Sequence, residues 1–230
     1  MSEPVQRHHV LEPFLARTEQ RALTEYGVAM EVLPYRGYLN LRGDLNDGVF
    51  SEAVREVLGR SLPGAANTFT EGGYRGFWLG PDEWLVMTDP GLEVALAQRL
   101  ENALAGRTCA LTDLTGGQIC IRLRGRDARN ALATGCTLDL DSRVFAPGQC
   151  AQTVLGKASI LIALSVAGPG LAVTGNTREG KDAGLADGAA VFDIIVRRTF
   201  AEYAAEWLYR SAKEYGIRLM GESPGHASER

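Results

Sequence analysis

The triplet Leu-Arg-Gly occurs twice in the chain, at residues 41–43 and 123–125. Each copy ends a short stretch of alternating residues, which is typical of a strand. Each copy is then followed by a helical stretch, a turn region, two strands and a long amphipathic helix. The copies lie about 80 residues apart, and a fixed internal period of this kind constrains the whole fold. The chain is therefore predicted to contain one β-α-β-β-α unit written twice.

This repeat predicts the α+β fold class and a division of the chain. We expect an N-terminal extension at 1–36, the first unit at 37–114 and the second unit at 115–216. The second unit carries a long Gly-rich loop at 167–189, and a C-terminal tail follows at 217–230. A chain of 230 residues is long enough to bury a proper core, and we expect one compact domain overall.

The first unit contains recognisable start and stop signals. Residues 37–42 alternate as a strand, and Ser51 is predicted to cap a helix that Gly59 ends. A Gly-Pro-Asp turn predicts a hairpin of strands at 74–79 and 84–87. Asp89-Pro90 is predicted to open the next helix, which Gly106 ends. The apolar stripe of that helix comprises Leu92, Ala95, Leu96, Leu100, Ala103 and Leu104.

The second unit repeats these patterns. Residues 118–124 alternate strictly, with Ile119, Ile121 and Leu123 on one face. A short helix, two strands and a further strand at 191–196 follow, and Thr199 is predicted to cap the last helix. The loop at 167–189 is interpreted either as a flexible surface loop or as a partner-binding arm. Its Gly-x-Gly at 168–170 lacks the further glycine and the acidic partner of a dinucleotide fingerprint.

Bulk composition argues against several classes of protein. The formal net charge of −4 provides no general attraction to nucleic acid or anionic membranes. No apolar run is long enough to span a membrane, and the N-terminus lacks the apolar stretch of a signal peptide. We therefore expect a cytoplasmic protein without nucleic-acid or membrane partners.

Histidine and cysteine offer little chemistry in this sequence. Histidine occurs only at positions 8, 9 and 226, in segments interpreted as mobile tails. Rigid Ser-His-Asp, Cys-His or histidine–zinc sites are therefore not expected. Cysteines 109, 120, 136 and 150 lack metal-site spacing and are interpreted as reduced, buried thiols.

Arginines cluster around the second Leu-Arg-Gly turn, and two more end a later strand. If these strand ends converge, the guanidinium groups could hold a carboxylate or phosphate, or contact a partner protein. The alternative is a solvated face paired with Asp127, Asp139 and Asp141. The arginines concerned are Arg122, Arg124, Arg126, Arg129, Arg197 and Arg198.

Two close carboxylate pairs, Asp82-Glu83 and Asp139-Asp141, are the candidates for acid–base chemistry. Both lie in turn compositions, where Asp forms local hydrogen bonds. Trp78 and Trp84 flank the first hairpin and are expected to be core residues, with a partner anchor as the alternative. No catalytic, cofactor-binding or metal-binding residue is therefore assigned.

Several sequence blocks together resemble the gamma subunit of heterotetrameric sarcosine oxidases. The blocks span roughly residues 37–216, and jointly they are specific. They are Phe77-Trp78-Leu79-Gly80-Pro81-Asp82-Glu83-Trp84-Leu85-Val86, Leu111-Thr112-Asp113-Leu114-Thr115-Gly116-Gly117-Gln118, Leu123-Arg124-Gly125, Gly135-Cys136-Thr137-Leu138-Asp139-Leu140, Phe145-Ala146-Pro147-Gly148-Gln149-Cys150-Ala151-Gln152-Thr153, Phe192-Asp193-Ile194-Ile195-Val196-Arg197-Arg198-Thr199-Phe200 and Glu206-Trp207-Leu208.

The resemblance implies a fold similar to the N-terminal folate-binding region of glycine-cleavage aminomethyltransferases. It implies a structural assembly subunit, with no active site of its own, in a complex that oxidatively demethylates an N-methyl amino acid. The implied partners are alpha, beta and delta subunits, which are expected to hold FAD, FMN, NAD, tetrahydrofolate and zinc. Alternatives on the same fold are a stand-alone folate-dependent aminomethyltransferase and a folate-binding regulatory module.

Overall fold

The computed structural model describes residues 9–18, 26–166 and 190–220. The loop at 167–189, His8 and His226 lie outside these residues, so the interpretations placed on them stay predictions. In chain order the elements are α1 (Glu12–Arg17), β1 (Val28–Val32), β2 (Gly37–Arg42), α2 (Gly48–Leu58), β3 (Phe69–Thr70), β4 (Arg75–Gly80), β5 (Glu83–Thr88), α3 (Glu93–Ala103), β6 (Ala110–Asp113), β7 (Gln118–Arg124), α4 (Ala128–Ala133), β8 (Cys150–Leu155), β9 (Ala158–Val166), β10 (Ala190–Arg197), α5 (Ala201–Ala212) and β11 (Ile217–Met220).

The two repeat units form two sheets with equivalent strand orders. Sheet 1 has the order β3-β4-β5-β2-β6, and sheet 2 has the order β11-β1-β7-β10-β9-β8. Strands β3, β4, β5 and β2 of the first unit therefore correspond to β8, β9, β10 and β7 of the second. Neighbouring strands are antiparallel, except that β1 and β11 are parallel. The duplicated α+β fold is confirmed. Each unit has one more strand than the β-α-β-β-α pattern; in the second unit the further strand was predicted at 191–196, whereas β3 of the first unit was not predicted.

Two segments assigned outside the units belong to sheet 2. Val28–Val32 pairs with the second Leu-Arg-Gly strand, although residues 1–36 were interpreted as an extension. Ile217–Met220 (β11) pairs with β1, although 217–230 was interpreted as a tail. Both segments are short, and the strand partner of each is distant in sequence, so neither shows its pairing in a local pattern. At these two places the predicted boundaries were wrong.

Packing explains why both Leu-Arg-Gly copies have leucine at the first position and glycine at the third. Leu41 and Leu123 are fully buried in the layers between sheets and helices. A Cβ atom at Gly43 would lie 2.3 Å from the Phe50 ring. Gly125 has φ +125, and a Cβ there would lie 2.2 Å from the carbonyl oxygen of Gly27. Only glycine tolerates both the positive φ and the close backbone approach at the second copy.

Some helix starts differ from the predicted caps. Asp47, and not Ser51, caps α2, because its side chain accepts from the amides of Val49 and Phe50. Gly59 ends this helix in the left-handed conformation with φ 73, as predicted. Helix α3 begins only at Glu93, so Leu92 precedes it.

The predicted apolar stripe of α3 is narrower in the structure, since Leu92, Ala95 and Ala103 are exposed. Leu96, Leu100 and Leu104 are its buried members. Thr199 does not cap α5, because a 3-10 turn at Arg198–Phe200 precedes the helix and makes no side-chain cap bond.

Three apolar layers hold the fold together. One packs sheet 2 against α1, α4 and α5, and another packs sheet 1 against α2 and α3. The layer between the two sheets contains Phe77, Leu85 and Met87 of sheet 1, facing Leu161 and Ile195 of sheet 2. Both units therefore contribute side chains to this middle layer. Among the described residues, no helix has the length and apolar character needed to cross a bilayer.

Candidate functional site

A row of charged side chains crosses sheet 2 on the face that meets sheet 1. Strand register sets Glu31 of β1 beside Arg122 of β7, and Arg122 beside Asp193 of β10. The alternation of β7 sends Ile121 and Leu123 to the helix side and Arg122 to the other side. The sequence predicted this alternation, but the second face of the strand lies against another sheet and not against solvent.

Asp193 is the centre of this charged row. Its Oδ1 and Oδ2 atoms accept hydrogen bonds from Arg122 Nε at 2.7 Å and Nη2 at 3.0 Å. Oδ2 also accepts from Nη1 of Arg75 in sheet 1, at 2.5 Å. The carboxylate is 1% exposed and thus links the two sheets. Burial alone would raise the pKa of Asp193, but the two guanidinium groups outweigh it and hold the pKa below its usual value.

Arg75 is held in place by aromatic rings as well as by charge. Its guanidinium carbon lies 5.0 Å from the ring centroids of both Phe69 and Phe77, within the range of a cation–π contact. Those two rings stack on each other with centroids 5.4 Å apart. Arg75 therefore packs against aromatic rings and also forms an ion pair across the inter-sheet layer.

The remaining charged neighbours are paired less tightly. Arg124 Nη2 lies 3.9 Å from Glu31 Oε2 and 2.9 Å from the sulfur of Met220. In the first repeat the equivalent Arg42 is half exposed and pairs with Asp82 at 3.0 Å. The arginine of the triplet thus has a buried role in one unit and a surface role in the other.

The arginines predicted to converge do not form one patch. Arg122 and Arg124 lie between the sheets, whereas Arg126 is exposed beside Asp127. Arg129 donates to the carbonyl oxygens of Leu140 and Phe145, so it fastens a loop. The strand ends therefore do not converge on a single anion clamp, and the Arg126–Asp127 pair agrees with the alternative of a solvated, paired face. Arg197 and Arg198 are exposed.

The predicted acidic pairs form local turn contacts. Asp82 pairs with Arg42, and Glu83 accepts from the side-chain amide of Asn40 at 2.8 Å. Asp139 accepts from the backbone amide of Asp141 at 2.9 Å. Asp141 itself pairs with Arg143, which lowers the pKa of Asp141, and the charge of Arg129 acts on it to a smaller extent. These contacts agree with the structural interpretation of both pairs.

His9 is an ordered residue and not part of a mobile tail. Its ring lies 4.6 Å from the ring of Tyr35, and its Nδ1 accepts from the Leu11 amide at 3.2 Å. Burial lowers the pKa of His9, although the nearby Glu12 carboxylate partly offsets this. Leu11, Phe14 and Leu15 have the spacing of one buried helix face. This spacing is the sequence signal that the segment following His9 is an ordered helix.

The buried thiols and tryptophans belong to the core. Cys150 donates from Sγ to the Thr68 carbonyl oxygen at 3.2 Å, and burial raises the pKa of Cys150 to about 11. Burial likewise raises the pKa of Cys120. Trp84 is fully buried and donates from Nε1 to the Pro63 carbonyl oxygen at 2.9 Å. In the described ranges, no group of three or more histidine, cysteine or acidic residues is placed to hold a metal ion.

Known proteins are similar to this chain in sequence and in fold. A sarcosine oxidase gamma subunit from Corynebacterium sp. (strain P-1) is 25% identical over 204 residues, which cover 87% of this chain and 88% of that protein. A sarcosine oxidase gamma subunit from an Arthrobacter species is 32% identical over 117 residues, covering 48% of this chain and 54% of that protein.

Two solved structures are similar in fold. One is the heterotetrameric sarcosine oxidase from Corynebacterium sp. U-96 in complex with pyrrole 2-carboxylate, with a TM-score of 0.72 and 22% identity over 96% of this chain and 99% of the matched chain. The other is the glycine cleavage aminomethyltransferase T from Bartonella henselae, with a TM-score of 0.55 and 16% identity. It covers 92% of this chain, which spans about half (51%) of that enzyme.

A family profile provides the assignment. The profile of the sarcosine oxidase gamma subunit family matches residues 42–168, more than half of the chain. The matched segment includes Arg42-Gly43 of the first Leu-Arg-Gly copy, the whole second copy, the first hairpin and strands β7 to β9. This chain therefore belongs to the sarcosine oxidase gamma subunit family.

Proposed function

We propose that this chain is a non-catalytic gamma-type subunit that assembles into a heterotetrameric, flavin-dependent, sarcosine oxidase-like complex. The match of residues 42–168 to the gamma subunit family carries this proposal. The complex would oxidatively demethylate an N-methyl amino acid. Its FAD, FMN, NAD, tetrahydrofolate and zinc would be held by alpha, beta and delta partners, and this chain would support their arrangement.

The use of reactive side chains in this chain supports a structural role. Arg75 and Arg122 are occupied in binding Asp193, and Arg129 fastens a loop. The raised pKa of Cys150 keeps its thiol protonated near neutral pH. These groups stabilise the fold. Side chains that are already occupied in structural contacts fit a subunit whose role is assembly.

We propose further that both repeat units act as one domain. The inter-sheet core draws side chains from both units, and the Arg75–Asp193 ion pair joins them. A partner subunit would then meet a rigid body, so the relative position of the two units would not change on assembly.

Co-expression with the candidate large flavoprotein subunits, followed by affinity purification and native mass measurement, tests this role. We expect a stable complex with bound flavin, and little flavin on the isolated chain. The exposed arginines at the end of β10 are a candidate contact, so Arg197→Glu with Arg198→Glu should weaken assembly. Arg55→Glu on the exposed face of α2 is the matched control and should assemble normally.

The folate-dependent alternatives predict a different outcome. A stand-alone transferase or folate-binding module would be a stable monomer that binds tetrahydrofolate tightly and does not co-purify with flavoprotein subunits. That result would contradict the assembly role. Titration of the isolated chain with tetrahydrofolate, followed by tryptophan fluorescence, measures the difference directly.

A further inference from the structure

The chain has an exposed turn where β10 leads into α5. Arg197 is the last residue of β10, and Arg198–Phe200 forms a 3-10 turn before the helix. All four residues at 197–200 are exposed, although the residues on either side, Val196 and Ala201, are buried. We call residues 197–200 the Arg-Phe turn. It presents two guanidinium groups and an aromatic ring to the surroundings.

Neighbouring elements fix the backbone of the Arg-Phe turn. Arg197 pairs with Gln118 in the register of β10 and β7. The amide of Arg198 donates to the carbonyl oxygen of Gly117 at 2.9 Å. The buried residues Val196 and Ala201 anchor its two ends in the core. A fixed backbone loses little conformational freedom when a partner binds, and this favours affinity.

The two arginines of this turn have no counter-charge in the fold. Glu202 follows the turn, but its carboxylate pairs with Arg17 at 2.6 Å. In the part of the chain that the structure describes, neither Arg197 nor Arg198 forms an ion pair. The whole chain carries a formal charge of −4, so this positive turn differs in sign from the chain as a whole. It is therefore suited to an acidic surface of another molecule.

Phe200 adds an apolar anchor to the charged pair. Its side chain is 42% exposed, and it is the aromatic member of the large hydrophobic residues that are exposed in the described ranges. Single exposed aliphatic residues are common on protein surfaces. Arginine and aromatic residues, by contrast, are enriched in protein interfaces, and arginine recurs among the residues that dominate binding energy. The composition of the Arg-Phe turn is therefore that of an interface.

We propose that the Arg-Phe turn docks onto an acidic segment of a flavoprotein partner subunit. This inference rests on the assembly role proposed above and specifies the chemistry of one contact. The guanidinium groups of Arg197 and Arg198 bind carboxylates of the partner, and the Phe200 ring enters an apolar pocket. Guanidinium and carboxylate groups match both in charge and in planar geometry.

A second copy of this chain fits the Arg-Phe turn less well. In a two-fold dimer the same surface meets itself. The arginines of one turn would then lie opposite the arginines of the other, and like charges that face each other oppose association. Charge complementarity therefore favours a different, acidic subunit.

Dissociation of the purified complex at increasing sodium chloride concentrations tests the contact. The complex is obtained by co-expression, and analytical ultracentrifugation of a dilution series gives its Kd. We expect the Kd to rise with salt, because salt screens the attraction between exposed charges. Arg197→Glu with Arg198→Glu should raise the Kd at low salt by about tenfold or more. The double variant should also invert the salt dependence, since its glutamates repel the acidic segment until salt screens them.

Phe200→Ala separates the apolar anchor from the charges. This substitution should raise the Kd about tenfold, as expected for a residue that dominates binding energy, and leave the salt dependence unchanged. Val94→Ala is the matched control, because Val94 is 71% exposed on α3, and it should leave the Kd unchanged. The far-UV circular dichroism of each isolated variant should equal that of the unsubstituted chain, which shows that the variant folds.

Three results would overturn the contact. A complex whose Kd and salt dependence are unchanged in the double arginine variant would remove this contact and leave the assembly role standing. Failure of the unsubstituted chain to form any complex would contradict the assembly role itself, and the contact with it. Self-association of the isolated chain that the arginine substitutions abolish would assign the Arg-Phe turn to a second copy of this chain.

Discussion

Asp193 and Arg122 face each other on neighbouring strands of one sheet and form a bidentate ion pair, with N–O distances of 2.7 and 3.0 Å. A third hydrogen bond reaches Asp193 from Arg75 in the opposite sheet. Both arginine side chains are almost buried, at 11% and 13% exposed. One buried carboxylate therefore provides the counter-charge for both guanidinium groups.

Replacing that carboxylate should strongly destabilise the protein. Asp193→Asn leaves two largely buried guanidinium groups without a counter-charge, and breaking a buried pair costs about 3–5 kcal/mol. Urea denaturation measures the free energy of unfolding. The control is Asp82→Asn in the half-exposed pair with Arg42, which should cost less than about 1 kcal/mol. Equal losses in the two variants would contradict this account.

The same pair should produce a defined loss of stability in acid. The pKa of Asp193 is lower in the folded chain than the value of about 3.9 for an unfolded aspartate. The unfolded state therefore binds a proton first as the pH falls. The contribution of Asp193 is fully present above pH ~4 and is lost as the pH falls through the folded pKa. Melting temperatures between pH 7 and 3 should decline less steeply for Asp193→Asn.

Protonation of His9 should loosen the N-terminal helix. Burial lowers the pKa of His9 below its ordinary value of about 6.5, so its contribution is present above that pH and is lost as the pH falls through the folded pKa. Protonated Nδ1 can no longer accept from the Leu11 amide. The hydrogen-exchange protection of Leu11 should therefore fall below pH 6.5. His9→Gln should remove that pH dependence, and a persistent dependence in this variant would implicate another group.

A methyl group at Gly135 should destabilise the packing of α5. A Cβ atom there would lie 2.3 Å from Nε1 of Trp207, a rigid ring held beside the α4 turn. Overpacking of this kind costs about 1–3 kcal/mol, so Gly135→Ala should lower the melting temperature. Gly48→Ala is the matched control. Gly48 has no neighbour within 4 Å and begins α2, so the control should stabilise the chain by about 0.4–1 kcal/mol. Thermal denaturation of both variants distinguishes crowding from a general effect of the added methyl group.

Local patterns in the sequence were sufficient for most of the fold. The strand at Gln118–Arg124 and the helix stop at Gly59 lie where alternation and glycine predicted them. Strands β1 and β11 were missed because each depends on a partner far away in the chain. The N-terminal helix was not predicted, although Leu11, Phe14 and Leu15 share a helical face, because its order depends on packing against residues far away in the chain.

The candidate site was the least predictable part of the protein. Convergence of the arginines near the second triplet was one of the alternatives that the sequence left open, but Arg122 is directed between the sheets and Arg129 binds loop carbonyls. Arg75 and Asp193, which complete the buried ion-pair cluster, were not predicted to meet because they are 118 positions apart. No local period connects residues that are separated by this distance.

The sequence by itself determined the duplicated unit, the α+β class and the family, because repeat spacing, strand alternation and motif blocks are local properties of the chain. Only the tertiary structure decided whether the second face of a strand is also buried. Packing one sheet on the other converted apparently solvent-facing positions such as Arg122 into interior ones, where a charge persists only with a partner. That partner, Asp193, was determined by the register of β7 and β10, and Arg75 was added by the contact between the two sheets.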